Sequence, residues 1–203
     1  NRLPIRYSYN EDYYQQTQYQ GIPKNGYKDI FINLTKNKNI RIKLKEKYNL
    51  KYKIKPRYLT IYTGPLDSLL NYKFGKLEWR SLSFKKEVKK TRDFQGTSVI
   101  NYPDLKNKFT RVHEPKHLHP ERRPFNSNQT LVIKEYSVKN DNEPYYPIND
   151  EVNRIKHRKY KLEASKIKKF EFGGRLADYA YYDMDMTISA ALKKFEQIKK
   201  KIK

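Results

Sequence analysis

Arginine and tyrosine residues recur beside glycine or proline along this chain, and both side chains can bind a diphosphate. The arginine guanidinium is planar and permanently charged, so it forms paired hydrogen bonds to phosphate oxygens. Tyrosine adds a hydroxyl donor with little rotamer entropy to lose. The candidates of this kind are Arg2, Tyr13, Arg111, Tyr146 and Tyr181. Each one alone is also explained as a surface arginine or a half-buried tyrosine, so residue type leaves both interpretations open.

Three histidines, His113, His117 and His119, lie close together in sequence and raise the alternative of a zinc site. Their spacing matches no standard zinc motif, and no carboxylate pattern completes it, since Glu114 is too near in sequence to be an obvious third ligand. The chain has no cysteine, no glycine-rich phosphate loop and no serine nucleophile elbow. We therefore predict no metal.

The first third of the chain contains the elements that lead into the candidate residues. Apolar side chains at helical spacing predict a short helix over residues 27–34, after a Gly-Pro turn cluster. Strict alternation of apolar and basic residues predicts a half-buried strand over 40–45. Residues 58–62 indicate a compact buried strand, and the leucines of 66–70 indicate one more short helix.

The rest of the chain predicts a sheet followed by helices. Residues 77–136 are rich in β-formers and favour antiparallel sheet. A helix begins at residues 149–151, and a short strand over 169–172 runs into a Gly-Gly turn. The last helix begins near Asp185 as its N-cap. The apolar sides predicted for these two helices consist of Val152, Ile155 and Leu162 in the first, and Ile188, Ala191, Leu192, Phe195 and Ile198 in the second. The fold class is α+β, an antiparallel sheet domain flanked by short helices.

Composition excludes several classes of protein. Lysine and arginine number 45 against 22 acidic residues, a formal net charge of +23, yet the basic residues are spread along the whole chain and form no recognition motif. This spread disfavours a nucleic-acid interface. Aromatic residues make up 14% of the chain, which is too many for a disordered protein. No apolar run approaches the length of a membrane span. We expect no membrane partner and a cytoplasmic protein, and we expect that a chain opening at Asn1 is cut from a longer polypeptide.

Nine segments, in this order and spacing, resemble the C-terminal half of the UDP-galactopyranose mutase family. They run along the whole chain and comprise residues 1–7 (NRLPIRY), 19–23 (YQGIP), 62–67 (YTGPLD), 74–82 (FGKLEWRSL), 93–96 (DFQG), 110–114 (TRVHE), 143–150 (EPYYPIND), 173–176 (GGRL) and 179–185 (YAYYDMD).

The resemblance implies a flavoenzyme, an isomerase that interconverts UDP-galactopyranose and UDP-galactofuranose. In this family reduced FAD attacks the anomeric carbon through its N5 and expels UDP. The resulting flavin–sugar adduct opens and recloses with the other ring size. There is no net redox change, and the protein supplies position and electrostatics. The implied partners are the UDP-galactose isomers.

The resemblance also implies roles for individual residues. Arg2 matches a mobile-loop arginine and Arg111 a fixed arginine, which together clamp the diphosphate. Asp183 matches an active-site acid beside the flavin. The remaining matches are to substrate-contacting residues, Tyr13, Asn101, Tyr146 and Tyr181, and to positions that meet the FAD, Arg175 and Met184.

The resemblance further divides the chain into three parts. Residues 1–57 correspond to the mobile loop with helix and strand segments of the helical and FAD regions. Residues 58–170 correspond to the antiparallel-sheet substrate domain with its following helix. Residues 171–203 correspond to the closing strand and C-terminal helix of an FAD-binding, Rossmann-like domain. The glycine-rich fingerprint of that domain lies upstream in the family and is not in this chain, so we expect a missing N-terminal half.

Two other functions stay open at this point: a non-catalytic remnant that keeps the mutase fold as an interaction module, and a basic nucleic-acid-binding protein. This fragment on its own is expected to be inactive. The oligomeric state is open, a homodimer included.

Overall fold

A computed structural model describes residues 7–8, 18–52, 55–122, 127–139 and 143–202 and has the predicted α+β architecture. Its strands are β1 Thr60–Tyr62, β2 Trp79–Lys89, β3 Val99–Asn101, β4 Arg111–His113, β5 Thr130–Lys139, β6 Tyr146–Pro147 and β7 Phe170–Phe172. Its α-helices are α1 Lys28–Thr35, α2 Leu66–Leu69, α3 Glu151–Ala164 and α4 Met184–Ile202. Two short 3₁₀ helices, Pro115–Leu118 and Pro120–Arg122, follow β4. Within these described ranges, no helix is both long and apolar enough to cross a bilayer.

The main sheet has five antiparallel strands in the order β3-β4-β5-β2-β6. Its centre is the long ladder between β2 and β5, which pairs Arg80 with Lys139 at one end and Lys89 with Thr130 at the other. Because paired residues share a face of a sheet, the register places Asn101, Arg111 and Glu135 side by side on one face. The opposite face is buried at Val112 and Val132.

A second sheet consists of β1 and β7 alone, which run parallel and pair Thr60 with Phe170. It flanks the main hydrophobic core, whose buried members are Leu66, Leu69, Leu77, Tyr160, Ala164, Ala177 and Tyr179. Tyr160 on α3 joins this core to the turn before β2, since its hydroxyl accepts from Phe74 N at 2.9 Å and donates to Gly75 O at 2.8 Å. Both partners are backbone groups, so this ring fixes the turn as well as filling the core.

Helix α3 begins at Glu151, in agreement with the start predicted at residues 149–151. Asp150 is the N-cap, and its carboxylate accepts from Asn153 N at 2.7 Å. Asn153 is itself buried and accepts from Glu78 N at 3.1 Å, which attaches the first turn of α3 to the strand entry at β2.

Four sequence predictions are wrong in detail. Residues 40–45 form no strand, because within the described residues no neighbouring strand pairs with their backbone groups. The strand predicted over 58–62 is only Thr60–Tyr62, and its Ile61 is largely exposed because the sheet has two strands. Helix α3 packs through Asn153, Tyr160 and Ala164, so the predicted apolar side is the exposed one.

The fourth correction concerns the last helix. Helix α4 begins at Met184, which puts Asp185 inside its first turn rather than at the cap. Of its predicted apolar side, only Ile198 is buried in the part of the helix that the structure describes. An amphipathic helix with most of its apolar side in water has the sequence of a packed helix without the packing partner.

Candidate functional site

Arg111 lies on β4, next to the edge strand of the main sheet, between polar side chains from both neighbouring strands. Its Nε donates to Asn101 Oδ1 at 2.9 Å, and its Nη1 lies 3.8 Å from Glu135 Oε2. The β3–β4–β5 register produces this arrangement directly, because Arg111 pairs with Asn101 on one side and with Glu135 on the other. The two residues matched to a substrate contact and a fixed arginine therefore form one cluster.

Glu135 is a buried carboxylate in a central strand, with 5% of its surface exposed. His113 Nε2 lies 3.1 Å from its Oε2, and Thr110 Oγ1 lies 3.4 Å from its Oε1. A carboxylate can only accept, so Nε2 is the protonated ring nitrogen in this contact. The hydrogen bond from His113, helped by the charge of Arg111, lowers the pKa of Glu135 although burial opposes the change. Glu135 is therefore ionised at neutral pH.

A second cluster joins β6 to the turn after β7. The guanidinium carbon of Arg175 lies 5.8 Å from the ring centre of Tyr146 and 5.5 Å from that of Tyr181. The two rings are themselves 5.5 Å apart. Arg175 Nε is buried and has no hydrogen-bond partner among the described residues. A buried donor without an acceptor costs free energy. Such a donor is typical of a position where a bound ligand supplies the acceptor.

The segment 173–182 is held in a fixed shape by its own polar groups. Gly174 has φ +85°, a conformation that favours glycine, and the turn that it opens is closed by Asp178. The Asp178 carboxylate accepts from Gly174 N at 3.1 Å and from the Tyr182 hydroxyl at 3.2 Å. Tyr179 then attaches the segment to the main sheet, because its hydroxyl contacts Glu78 O at 2.5 Å and Ile148 O at 3.0 Å.

The other predicted site residues are dispersed or outside the description. Asp183 immediately precedes α4, and its carbonyl accepts from Thr187 N at 2.9 Å. Met184 is the first residue of α4 and is exposed. Arg2 and Tyr13 lie outside the described residues.

The three histidines do not share a site. His113 contacts Glu135, and His119 contacts Glu121 at 3.0 Å. His117 lies 3.2 Å from Asp93 and 3.6 Å from Glu114, so sequence proximity does not keep Glu114 from sharing a cluster with a histidine.

Donor atoms of Asp93, Glu114 and His117 lie within 4.8 Å of one another. However, the Glu114 carboxylate already accepts from Gln95 N at 2.9 Å and from Thr130 Oγ1 at 2.6 Å, and Lys116 Nζ lies 2.9 Å from it. Both oxygens of the Glu114 carboxylate therefore already have donors, and the Lys116 ammonium occupies the space where a metal ion would bind. Glu114 has a structural role: it attaches residues 94–95 to the sheet.

The two arginine clusters lie on the same face of the main sheet. Glu135 pairs with Phe84, Tyr146 pairs with Arg80, and these two β2 residues are four apart, which puts them on one face. The backbone positions of Arg111 and Tyr146 are separated by three strand spacings, about 14 Å across the sheet, and by four residues along the strands, about 13 Å, which makes about 20 Å in total. Two cationic groups with aromatic and amide neighbours on one face have the chemistry to bind an elongated anionic ligand.

Comparisons with known proteins identify one family. The family description of UDP-galactopyranose mutase matches residues 1–181. The chain is 35% identical over 98% of its length to the UDP-galactopyranose mutase of Mycoplasma genitalium and 34% identical over 97% to that of Mycoplasma pneumoniae. It is 34% identical over 94% of its length to the dTDP-fucopyranose mutase of Escherichia coli. Each match covers 52% of the relative.

This chain belongs to the UDP-galactopyranose mutase family. It spans about half the length of the curated relatives that it matches.

Sequence reasoning did not identify Glu135, nor Tyr179 as the anchor of the turn. A signal for Glu135 was available, because it interrupts the β-forming run of residues 130–136 with a charge. A charged residue inside a buried strand needs a partner and is a candidate for a functional position. The anchoring role of Tyr179 depends on a left-handed backbone conformation, φ +49°, which the sequence does not predict.

Proposed function

We propose that this chain is the C-terminal part of an enzyme that interconverts UDP-galactopyranose and UDP-galactofuranose. The observation that carries the proposal is the shared sheet face, with the Arg111–Asn101 pair at one side and the Arg175–Tyr146–Tyr181 cluster at the other. Family membership supplies the class of reaction.

Arg111 is the fixed cation for the diphosphate in this proposal. Expulsion of UDP leaves developing negative charge on the phosphate oxygens, and a guanidinium already held in place stabilises it without reorganisation. Asn101 holds the Nε edge of Arg111, which leaves the Nη groups as the donors directed at phosphate. Arg2 and Tyr13, which the resemblance matches to a second arginine of the clamp and to a substrate-contacting tyrosine, complete the contacts to the ligand in this proposal.

Tyr146 and Tyr181 form the wall of the sugar subsite. The two rings lie next to each other and each is within 6 Å of the Arg175 guanidinium, so they restrict its rotation and orient its donors. A hexose presents C–H surface and hydroxyls together, and tyrosine offers both a ring face and a hydroxyl.

The residues present fit an edge of FAD. Arg175 Nε is a buried donor that lacks an acceptor among the described residues, and the carbonyl and ring-nitrogen acceptors of a flavin would complete it. Met184, exposed at the first turn of the 19-residue helix α4, and Asp183 just before it are the groups we place beside the same ring. When bound, reduced FAD supplies the nucleophile for sugar transfer with no net redox change.

The upstream half of the same polypeptide is the proposed partner. On α4, Ile188, Leu192 and Phe195 are 61%, 62% and 57% exposed. These residues recur every three or four positions and form one stripe, the pattern of a helix that packs against another layer. Curated relatives are about twice as long as this chain, which gives the stripe a covering segment.

Residues 40–44 support the same proposal. Ile40, Ile42 and Leu44 are 47%, 59% and 81% exposed, and they alternate with basic residues as the strand prediction required. This exposed apolar row is a second surface that an upstream segment would cover. The parallel pair of β1 and β7 supports assigning residues 171–203 to the closing part of an FAD-binding domain.

The test is turnover by the longest natural polypeptide that contains this segment, incubated with UDP-galactofuranose, FAD and dithionite and followed by chromatography. We expect UDP-galactopyranose as product and flavin absorbance in the purified protein. Arg111→Ala should lower kcat/KM by about 10- to 160-fold, equivalent to about 1.5–3 kcal/mol for a lost charged hydrogen bond. Arg158→Ala, which removes an exposed arginine of α3, is the matched control and should leave turnover unchanged.

Two results would reject parts of this proposal. No conversion together with no bound flavin would identify a non-catalytic protein with the mutase fold. Faster conversion of a dTDP-furanose than of UDP-galactofuranose would assign the substrate of the Escherichia coli relative instead.

A further inference from the structure

We infer that Glu135 is a positioning residue that holds the Arg111 guanidinium ready for the diphosphate, and that His113 fixes the orientation of Glu135. The inference rests on the proposed function, because Arg111 is its target. It rests on the geometry of three neighbouring strands, which place these side chains on one face of the main sheet.

Glu135 is built into the sheet rather than attached to its surface. It lies on central strand β5 with 5% of its surface exposed. Its carboxylate contacts two donors, His113 on β4 and Thr110 just before β4. His113 Nε2 at 3.1 Å is within hydrogen-bond distance, whereas Arg111 Nη1 at 3.8 Å is an ion-pair contact only. The imidazole therefore sets the angle of the carboxylate, and the carboxylate attracts the guanidinium without a close hydrogen bond.

This difference in distance matters for function. A close, two-pronged contact to a carboxylate would occupy the same Nη donors that a diphosphate needs. At 3.8 Å the attraction restrains the arginine, while Asn101 holds only its Nε. Arginine has a long side chain with many rotamers, so restraint before the ligand arrives lowers the entropic cost of binding.

The neighbouring residue Thr110 closes the arrangement. Its backbone N donates to Glu135 O at 2.8 Å, and its hydroxyl lies 3.4 Å from Glu135 Oε1. These contacts fix the backbone just before Arg111 to the same residue that attracts its side chain. Movement of Glu135 would therefore displace both ends of the arginine.

The experiment is a double-mutant cycle in the full-length, FAD-loaded enzyme, with kcat/KM and the Kd for UDP as readouts. Glu135→Gln keeps the shape of the side chain and removes its charge. We expect it to weaken UDP binding and lower kcat/KM by about 5- to 30-fold in the unmutated background. In the Arg111→Ala background the same change should cost less than about 2-fold, because its target is gone. A merely structural role would cost the same factor in both backgrounds.

Glu87→Gln is the matched control. Glu87 is a carboxylate of the same sheet on strand β2, where it pairs with Lys85 and Lys89 on the opposite face. Its substitution should leave the Kd for UDP unchanged. Should Glu135→Gln fail to fold, His113→Gln gives the same cycle one contact further from Arg111.

The outcomes separate this inference from the function on which it rests. Equal losses in both backgrounds, or no loss in the unmutated background, would overturn the positioning role of Glu135 alone. If the unmutated enzyme turns nothing over but binds UDP, the Kd values still decide the role of Glu135. If it does not bind UDP, the proposed function is overturned and this inference with it.

Discussion

Replacement of Tyr179 by phenylalanine isolates the contact that fastens segment 173–182 to the main sheet. The change removes one oxygen and keeps the ring, which packs edge-on against Trp79 with 4.9 Å between ring centres. What is lost is the hydroxyl between Glu78 O and Ile148 O. The core packing stays, so any loss of stability measures that hydroxyl.

The expected magnitude follows from the two carbonyls. Glu78 O keeps a second donor, Ile148 N at 3.0 Å, and so loses only part of its hydrogen bonding. Ile148 O has no other hydrogen bond among the described residues. A net hydrogen bond contributes about 1 kcal/mol, and an acceptor left without a donor adds a further penalty, so we expect a loss of about 1–3 kcal/mol. For a chain of this length, each kcal/mol lowers Tm by about 2–4 °C.

The assay is urea-induced unfolding of the 203-residue chain at neutral pH, followed by tryptophan fluorescence and far-UV circular dichroism. Burial raises the pKa of Tyr179, so its hydroxyl stays protonated under these conditions. Tyr58→Phe removes an exposed hydroxyl that has no hydrogen bond within the described residues and should change the free energy of unfolding by less than about 0.5 kcal/mol. If Tyr179→Phe behaves like Tyr58→Phe, the hydroxyl does not anchor the segment.

Three further predictions concern stability. Asp150→Ala removes the N-cap of α3 and should cost about 1 kcal/mol in urea unfolding, whereas Asp150→Asn, which keeps an acceptor for Asn153 N, should cost only a few tenths. Gly174→Ala should lower the free energy of unfolding by about 1–2 kcal/mol, because alanine disfavours φ +85°. Gly21→Ala is the control and should be neutral, because a Cβ at that position meets no other atom. Equal effects of the two substitutions would contradict this reasoning. Because the imidazole hydrogen bond lowers the pKa of Glu135, its stabilising charge is fully present above the unfolded-state pKa of a glutamate and is lost as pH falls through the lowered pKa. The stability difference from Glu135→Gln should therefore shrink on the acidic side of a pH series of unfolding curves, and a constant difference would refute the assignment.

Local sequence signals predicted elements better than they predicted which faces are buried. Helix α3 begins where Asp150 predicts, because capping is a matter of a few neighbouring atoms. The apolar residues Val152, Ile155 and Leu162 of the same helix face water, whereas Asn153 is buried against the main sheet. Burial depends on what surrounds a helix, which the periodicity of its own sequence does not determine.

The candidate site divides in the same way. The resemblance identified Asn101 and Arg111 separately, and the strand register shows them as neighbours joined by one hydrogen bond. Glu135 was not predicted because its role depends on its pairing with Arg111 on the neighbouring strand, 24 residues away in sequence. The chemistry of a side chain can be inferred from the sequence, but its partners on other strands follow only from the strand register.

The pairing of Thr60 with Phe170 makes the sheet region an insertion. The chain leaves a two-stranded parallel ladder after Tyr62 and re-enters it at Phe170, so everything between begins and ends at one place. Such a segment can change in length without altering the path of the chain through the ladder. Its core residues also pack against Ala177 and Tyr179, which follow the ladder. The Arg111 end of the proposed binding face lies inside this excursion, whereas Arg175 and Tyr181 lie after it, so only the Arg111 end would change with the excursion.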